Sequence, residues 1–192
     1  MRSVSTDGRW LSIRTENTKG FNERHFDSIY VADRLRRIGA KSVIEIGGGS
    51  GYVAHYAMRM GIDRYTIVDL PSVAMVQYII LGCSLGSDQV GLRSKAPISI
   101  FPSTHLGAID WDVDCVVNVD SIPEMPKATG SDYVRRATAA KLFLSINQES
   151  AIEIGEAPLL VVRDLCDGRF HSLARHPYWM RTGWVEEVYA PR

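Results

Sequence analysis

The feature that most constrains the fold of this chain is the segment from Ile44 to Tyr52, IEIGGGSGY. A short, mainly β-branched run ends at Ile46, four of the next five residues are glycine, and apolar residues then recur at helical spacing. Glycine is needed where φ must be positive or where a ligand approaches the main chain. A helix that begins there also presents unpaired N–H groups. The segment therefore predicts a buried strand, a tight glycine turn and a helix start that can face a ligand.

Strand and helix patterns alternate along most of the rest of the chain. Helices are predicted at 26–38, 52–60, 71–85 and 131–141. Strands are predicted at 43–46, 65–70, 98–101, 115–119, 142–146, 159–165 and 184–190. Such alternation favours a parallel sheet covered on both faces, and the absence of a helical pattern between the last two strands favours an antiparallel hairpin. We therefore expect an α/β three-layer sandwich with a mostly parallel seven-stranded sheet and an antiparallel C-terminal edge hairpin.

Composition narrows the class of protein further. Residues 1–22 are polar and are interpreted as an N-terminal arm or the remnant of a preceding segment, and 23–192 as a single domain. The three cysteines form no CxxC pair, which argues against zinc fingers and disulfides and for a reducing compartment. No signal peptide and no membrane-spanning stretch is predicted, so a cytoplasmic location is expected. The net charge of zero argues against nucleic acid as a partner.

The spacing of the glycines separates two classes of nucleotide-binding site. A dinucleotide fingerprint GxGxxG that began at Gly47 would need glycine at position 52, where the chain has Tyr52. The pattern present is ExGxGxG, through Glu45, Gly47, Gly49 and Gly51. It resembles motif I of class I S-adenosylmethionine methyltransferases. An NAD-dependent oxidoreductase is therefore disfavoured, and a plain tight turn between strand and helix stays open as an alternative.

This resemblance implies a Rossmann-like domain, S-adenosyl-L-methionine as cofactor and S-adenosyl-L-homocysteine as product. The glycine loop would lie beside the methionine part of the cofactor, with Glu45 near its amino group; the loop residues are Gly47, Gly48, Gly49, Gly51 and Tyr52. Asp69 ends the next strand, 18 residues beyond Gly51, where the family places the acid that binds the ribose hydroxyls. Leu70 follows it in the cofactor site. As an alternative, Asp69 caps the helix that begins near Pro71.

The resemblance implies that the fourth predicted strand ends near the transferred methyl group. Its polar residues are site candidates, because ligands bind at strand ends in open α/β sheets. Asn118 and Ser121 are predicted to bind the cofactor, and Asp120 and Glu124 are candidates for the general base. The Asn/Asp-Pro-Pro-Tyr/Phe sequence of DNA and RNA amino-methyltransferases is missing here. Its absence argues against a nucleobase amine as acceptor.

The segments 116–125, 143–148 and 175–188 are similar to the sugar O-methyltransferase group found in bacterial polysaccharide gene neighbourhoods, over about 25–190 of the chain. The resemblance implies that a hydroxyl of a sugar or nucleotide-sugar is methylated. Several alternatives stay open: N- or C-methylation of another metabolite, a non-catalytic cofactor-binding module, and a homodimer rather than a monomer. Asp120, Asn147 and Glu149 lie at or after predicted strand ends and could converge on a metal, but no compact ligand motif exists and no metal site is predicted. Arg163, Arg175 and Arg181 could bind an acidic sugar or only solvate the hairpin.

Overall fold

A computed structural model describes residues 23–149, 153–154 and 157–192 of the chain. The predicted arm, 1–22, lies outside the described residues. The helices are α1 Glu23–Arg37, α2 Tyr52–Arg59, α3 Pro71–Leu85, α4 Lys127–Ala137 and α5 Val162–Cys166. The strands are β1 Ser42–Ile46, β2 Arg64–Asp69, β3 Val90–Leu92, β4 Ile98–Pro102, β5 Cys115–Val119, β6 Leu142–Gln148, β7 Glu153–Ile154, β8 Ala157–Pro158, β9 Phe170–Pro177 and β10 Trp184–Pro191.

The main sheet has the strand order β3-β4-β2-β1-β5-β6-β10-β9. All neighbours pair in parallel except β10, which runs antiparallel to both β6 and β9. The mostly parallel sheet with an antiparallel C-terminal hairpin is thereby confirmed. The predicted number of seven strands was wrong, because β3 adds an eighth at the edge. Its three residues, with Gly91 in the middle, are too few to show a strand periodicity.

Two hydrophobic cores fill the space between the sheet and its helices. One packs α1, α2 and α3 against one face of the sheet, and the other packs α4 and α5 against the opposite face. Neighbouring residues of β1 alternate between them, since Val43 belongs to the first core and Ile44 to the second. This is the three-layer arrangement expected from the sequence. Within the described residues no helix is both long and apolar enough to cross a bilayer.

The prediction of a strand at 159–165 was wrong. Residues Val162–Cys166 form the short helix α5, whose buried side chains Val162, Leu165 and Cys166 have helical spacing and pack beside α4. The hairpin partner of β10 is instead β9, which lies between the two segments predicted as the hairpin strands. Most of β9 is exposed at the sheet edge, so its sequence carries no apolar alternation that would mark it as a strand.

The strand order places β1 at the point where the chain reverses direction across the sheet. The strand that follows in sequence, β2, lies on one side of β1, and β5 lies on the other. Loops leaving the carboxyl ends of these strands diverge and open a crevice, which is where open α/β sheets bind ligands. Helix α1 is held beside it by buried Glu186 of β10, which accepts hydrogen bonds from Tyr30 Oη at 2.5 Å and Arg34 Nε at 2.7 Å.

Candidate functional site

The glycine loop between β1 and α2 is fastened to the neighbouring strand ends. Gly47 N–H donates to the Val68 carbonyl at 2.8 Å, which continues the β1–β2 ladder into the loop. Gly47 and Gly49 have φ of 74° and 55°, in the left-handed region that favours glycine. A β-carbon on Gly49 would meet no atom within 4 Å. The main chain at Gly49 therefore faces open space.

Asp69 lies at the end of β2, directly beside the loop. Its Oδ2 accepts hydrogen bonds from Gly49 N–H at 3.2 Å and from Gln77 Nε2 at 2.7 Å, and its Oδ1 accepts from Leu70 N–H at 2.8 Å. Burial raises the pKa of Asp69 above its usual value, and these donors oppose that rise. The alternative that Asp69 caps α3 is not borne out. The cap position is Leu70, and α3 has no side-chain cap hydrogen bond.

Glu45 is a buried carboxyl group beneath the loop. It is 2% exposed and accepts a hydrogen bond from Tyr65 Oη at 3.1 Å. Burial raises its pKa to about 8, the charge of Asp69 adds to this rise, and the Tyr65 hydroxyl opposes it. At neutral pH the ligand-free side chain therefore holds a proton, and a positively charged ligand group beside it would favour its ionised form.

Asn118 and Ser121 join the end of β5 to the end of β1. Asn118 Nδ2 and Ser121 Oγ both donate to the carbonyl of Ile46, at 2.9 and 2.8 Å. The side-chain oxygen of Asn118 is buried and has no hydrogen-bond partner within the described part of the chain. This arrangement brings the two strand ends together under the glycine loop. It also leaves a buried acceptor there, which native proteins rarely tolerate without a role.

Asp120 follows β5 in a left-handed backbone conformation, with φ of 56°. Its N–H is held by the Ile146 carbonyl at 3.2 Å and by Asn147 Oδ1 at 2.9 Å. Strained backbone of this kind persists only where the surroundings impose it, and it is common at functional sites. Burial raises the pKa of Asp120 to about 6, with Glu124 and Asp27 adding to the rise and Arg181 opposing it.

Arg181 reaches this carboxylate from the loop between β9 and β10. Its guanidinium lies 3.5 Å from Asp120 Oδ2, forms an ion pair with Asp27 of α1, and lies 4.5 Å from the centroid of the Trp184 ring. Tyr178 Oη donates a further hydrogen bond to Asp27 at 2.9 Å. Two carboxylates thus share one guanidinium on the β5 side of the crevice.

Two cavities lie on either side of the glycine loop. A cavity of about 310 Å³ is lined by Asp27, Glu45, Tyr52, Asp120 and Arg181, among others. A second, of about 620 Å³, has a more apolar wall; its lining includes Asp69, Leu70, Val73, Met125 and Tyr133. Both are also lined by Gly47, Gly49, Ser121 and Glu124. Here the first is called the polar cavity and the second the apolar cavity.

The structure brings nearly all of the predicted site residues to these two cavities. Gly48 lines the polar cavity with its loop neighbours, and Glu124 lies exposed in a 3₁₀ turn at the border of both. Two residues line neither of them. Gly51 lies at the start of α2, where a β-carbon would come within 2.9 Å of Leu81, and Asn118 is fully buried behind the loop.

Asp27 and Gln77 were missed by the sequence interpretation. The apolar periodicity of α1 and α3 accounts for these two positions as ordinary surface or core positions of a helix. Only their contacts with distant parts of the chain show that they lie at the site. Gln77 did carry one signal, since it is the only amide side chain in α3, which contains no charged residue.

The residues weighed as metal ligands are directed to other partners. Asn147 bonds the backbone of Asp120 and donates to Ser145 Oγ at 2.8 Å, while Glu149 forms an ion pair with Arg175. Across the described ranges, no group of three or more His, Cys, Asp or Glu residues is arranged to hold a metal ion.

Comparison with known proteins gives structural neighbours but no sequence relatives. No family model matches the chain, and no curated protein matches it. The mitomycin 7-O-methyltransferase MmcR superimposes with a TM-score of 0.67 at 14% identity, over 88% of this chain and 54% of that one. The chain therefore spans about half the length of MmcR.

Two further solved structures are similar over nearly their whole length. The methyltransferase domain of bacterial CtHen1-C gives a TM-score of 0.66 at 14% identity, over 88% of this chain and 99% of that domain. The PH0226 protein of Pyrococcus horikoshii OT3 gives a TM-score of 0.64 at 14% identity, over 92% of this chain and 93% of that one. The chain thus has the same Rossmann-like fold as these three solved structures.

Proposed function

We propose that this protein is an S-adenosylmethionine-dependent O-methyltransferase that acts on a hydroxyl of a sugar or sugar-like small molecule. The observation that carries the proposal is the hydrogen bond between the Gly49 main chain and the Asp69 carboxylate, at the border of the two cavities. An acid in this position, fixed to a glycine loop, suits an adenosine whose ribose lies across the loop. NAD would need a different glycine spacing.

The residues present fit this cofactor. Asp69 would accept the ribose hydroxyls, the apolar cavity beside Leu70 and Val73 would take the adenine, and Gly49 leaves the main chain accessible. Glu45, which lines the polar cavity, would face the amino group of the methionine part. When bound, S-adenosylmethionine supplies an electrophilic methyl group.

The polar cavity supplies what a hydroxyl acceptor needs. A hydroxyl is a weak nucleophile at neutral pH, so a carboxylate must take its proton as the new bond to carbon forms. Asp120 suits this role, because burial brings its pKa to about 6 and it is therefore mostly ionised at pH 7. Glu124 is the second candidate, at the border of both cavities. Holding the acceptor in line with the methyl group supplies much of the remaining rate.

The choice of a sugar hydroxyl rests on two supports. One is the similarity of the strand-end pattern from Asn118 to Met125 to sugar O-methyltransferases, without the motif of nucleobase amino-methyltransferases. The other is that MmcR, a structural neighbour, is named as an O-methyltransferase. N-methylation is the second candidate function, because the carboxylates of Asp27, Asp120 and Glu124 would also attract an amine.

The cofactor is tested first, by isothermal titration of the protein with S-adenosylhomocysteine and, separately, with NAD. We expect saturable binding of the first ligand only, and the reverse result would disprove the proposal. Methyl-labelled S-adenosylmethionine is then incubated with panels of glycosides, nucleotide-sugars, amines, tRNA and DNA. Label found on amines or nucleic acid but on no glycan would refute the sugar assignment. Cofactor binding without any transfer would favour a non-catalytic module.

A further inference from the structure

Gln77 is a fully buried polar side chain on the inner face of α3. It is 0% exposed, and its neighbours on the same face, Ala74 and Leu81, are apolar and fully buried. Burying an amide costs free energy unless its groups find hydrogen-bond partners. The partners that Gln77 makes therefore indicate what the residue does.

The amide nitrogen of Gln77 joins two parts of the candidate cofactor site. Nε2 donates to Asp69 Oδ2 at 2.7 Å and to the Gly49 carbonyl at 3.0 Å. Gly49 N–H in turn donates to the same Asp69 oxygen at 3.2 Å. Helix α3, the end of β2 and the glycine loop thus meet in one closed set of hydrogen bonds, and both main-chain groups of Gly49 take part in it.

The oxygen of the same amide has no such partner. Gln77 Oε1 is buried and makes no hydrogen bond to any described residue. An apolar side chain would avoid this unpaired acceptor and would suit the surrounding core. The presence of an amide therefore depends on what its nitrogen does at Asp69 and Gly49.

We propose that Gln77 is a positioning residue for the cofactor: it holds the Asp69 carboxylate and the Gly49 peptide in the orientation that binds the ribose. The inference rests on the proposed function and extends it to a residue that lines neither cavity. By occupying Asp69 Oδ2 together with Gly49, Gln77 leaves acceptor capacity on Oδ1 for a ligand hydroxyl. It also keeps the Gly49 main chain from turning toward the ligand space.

Gln77→Glu converts this arrangement into one that depends on pH. A carboxyl oxygen at the position of Nε2 would lie next to Asp69 Oδ2, so the two carboxyl groups can bond only while they share a proton. Low pH keeps the bond, and high pH replaces it by repulsion. Gln89→Glu is the matched control, since Gln89 Nε2 also bonds an aspartate, Asp88, at 2.6 Å, but away from the loop.

The first experiment measures the dissociation constant of S-adenosylhomocysteine between pH 5.5 and pH 8. Relative to wild type at each pH, Gln77→Glu should lose affinity as the pH rises, by about tenfold or more at pH 8, or about 1.4 kcal/mol. Gln77→Leu should lose a similar factor at every pH, and Gln89→Glu should stay within about twofold. Gln77 variants that match wild type at every pH, with only their melting temperature lowered, would reduce Gln77 to a packing residue.

The second experiment needs no ligand. Amide hydrogen exchange by NMR should show the Gly49 N–H exchanging at least about tenfold faster in Gln77→Leu than in wild type, with the amides of the central strand β5 unchanged. Unchanged exchange at Gly49 would overturn the inference. If wild type fails to bind S-adenosylhomocysteine at any pH, the proposed function fails, and the exchange rates still decide whether Gln77 positions the loop.

Discussion

A β-carbon on Gly47 would overlap the hydroxyl oxygen of Ser121. The same hydroxyl donates to the Ile46 carbonyl at 2.8 Å, so the loop after β5 is fastened to the end of β1 at this point. Gly47 and Ser121 both line the two cavities. Their close approach therefore forms the shared wall between the space proposed for adenosine and the space proposed for the acceptor.

Gly47→Ala should destabilise the protein strongly. The new methyl group would overlap Ser121, and the φ of 74° would strain any side chain. Together these effects should lower the free energy of unfolding by about 3 kcal/mol or more, measured by urea denaturation. Adding Ser121→Gly should recover part of the loss, because it removes the overlap and leaves the strain. No recovery in the double variant would show that Ser121 is not the obstacle.

Gly49→Ala is the matched comparison for the same loop. Its β-carbon would meet no atom within 4 Å, so only the strain of a φ of 55° is added. We expect a loss of about 1–2 kcal/mol in the free energy of unfolding. The loss of S-adenosylhomocysteine affinity should exceed tenfold, because the added methyl group stands at the border of both cavities. Unimpaired binding would show that the ligand does not approach Gly49.

Asp69→Asn should weaken the binding of S-adenosylhomocysteine by at least about tenfold, because hydrogen bonds to a charged group contribute about 1.5–3 kcal/mol each. The amide keeps the volume of the carboxylate but loses its charge and one acceptor. The measurement is isothermal titration, together with ligand-free melting curves. Asp63→Asn is the control, since Asp63 is an exposed aspartate next to the opposite end of β2. If the affinity of Asp69→Asn stays within about twofold of wild type, Asp69 does not bind the cofactor.

Glu45 should make cofactor binding depend on pH. Burial raises its pKa to about 8, and an ammonium group beside it favours the ionised form, so binding should release a proton below that pH. S-adenosylhomocysteine affinity should therefore rise by about tenfold or more between pH 6 and pH 8. The released proton is measured by titration in buffers of different ionisation enthalpy. In Glu45→Gln the rise and the proton release should both disappear.

The ligand-free protein gives an independent check on Glu45. A carboxyl group whose pKa is higher in the folded than in the unfolded protein favours the folded state while it is protonated. This contribution to stability is lost as the pH rises from the pKa of the unfolded state toward about 8, the pKa of Glu45 in the folded state. The melting temperature of wild type should then fall by several degrees between pH 5 and pH 8. A pH dependence that is equally steep in Glu45→Gln would show that another group is responsible.

Asp120→Asn should lower kcat about 100-fold or more while S-adenosylhomocysteine affinity stays near that of wild type, if Asp120 removes the acceptor proton. The wild-type rate should rise with pH through about 6, because the carboxyl must be ionised. Arg181→Met should move this rise to higher pH, since Arg181 lowers the pKa of Asp120. The assay uses the acceptor that the glycan panel identifies. An unchanged pH profile in Arg181→Met would show that ionisation of Asp120 does not control kcat.

Glu124→Gln is the companion variant to Asp120→Asn. Glu124 lines the same polar cavity but lies exposed in the turn after β5. If Glu124→Gln lowers kcat more than Asp120→Asn does, and if kcat then no longer rises with pH, Glu124 rather than Asp120 is the general base.

The sequence alone determined which segments form the central strands and helices along the chain. It also placed the candidate ligand-binding groups at the carboxyl ends of the strands. Helix α3 from Pro71 to Leu85 and strand β5 from Cys115 to Val119 were predicted to the residue. Proline, glycine and continuous apolar runs are local signals, and they need no knowledge of the partner strand. For the same reason Asp69 and the glycine motif could be placed together, since parallel strands bring their carboxyl ends to one edge.

The tertiary structure alone decided which other side chains complete the site. Asp27, Asp120 and Arg181 are far apart in sequence and meet only because α1 and the β9–β10 loop bring their side chains to the loop that follows β5. The same holds for α5, whose apolar run predicts a strand until its packing against α4 is known. Local patterns encode which face of an element is buried. They do not encode the hydrogen-bond partner that a buried group such as Gln77 meets there, because that partner depends on how distant elements pack.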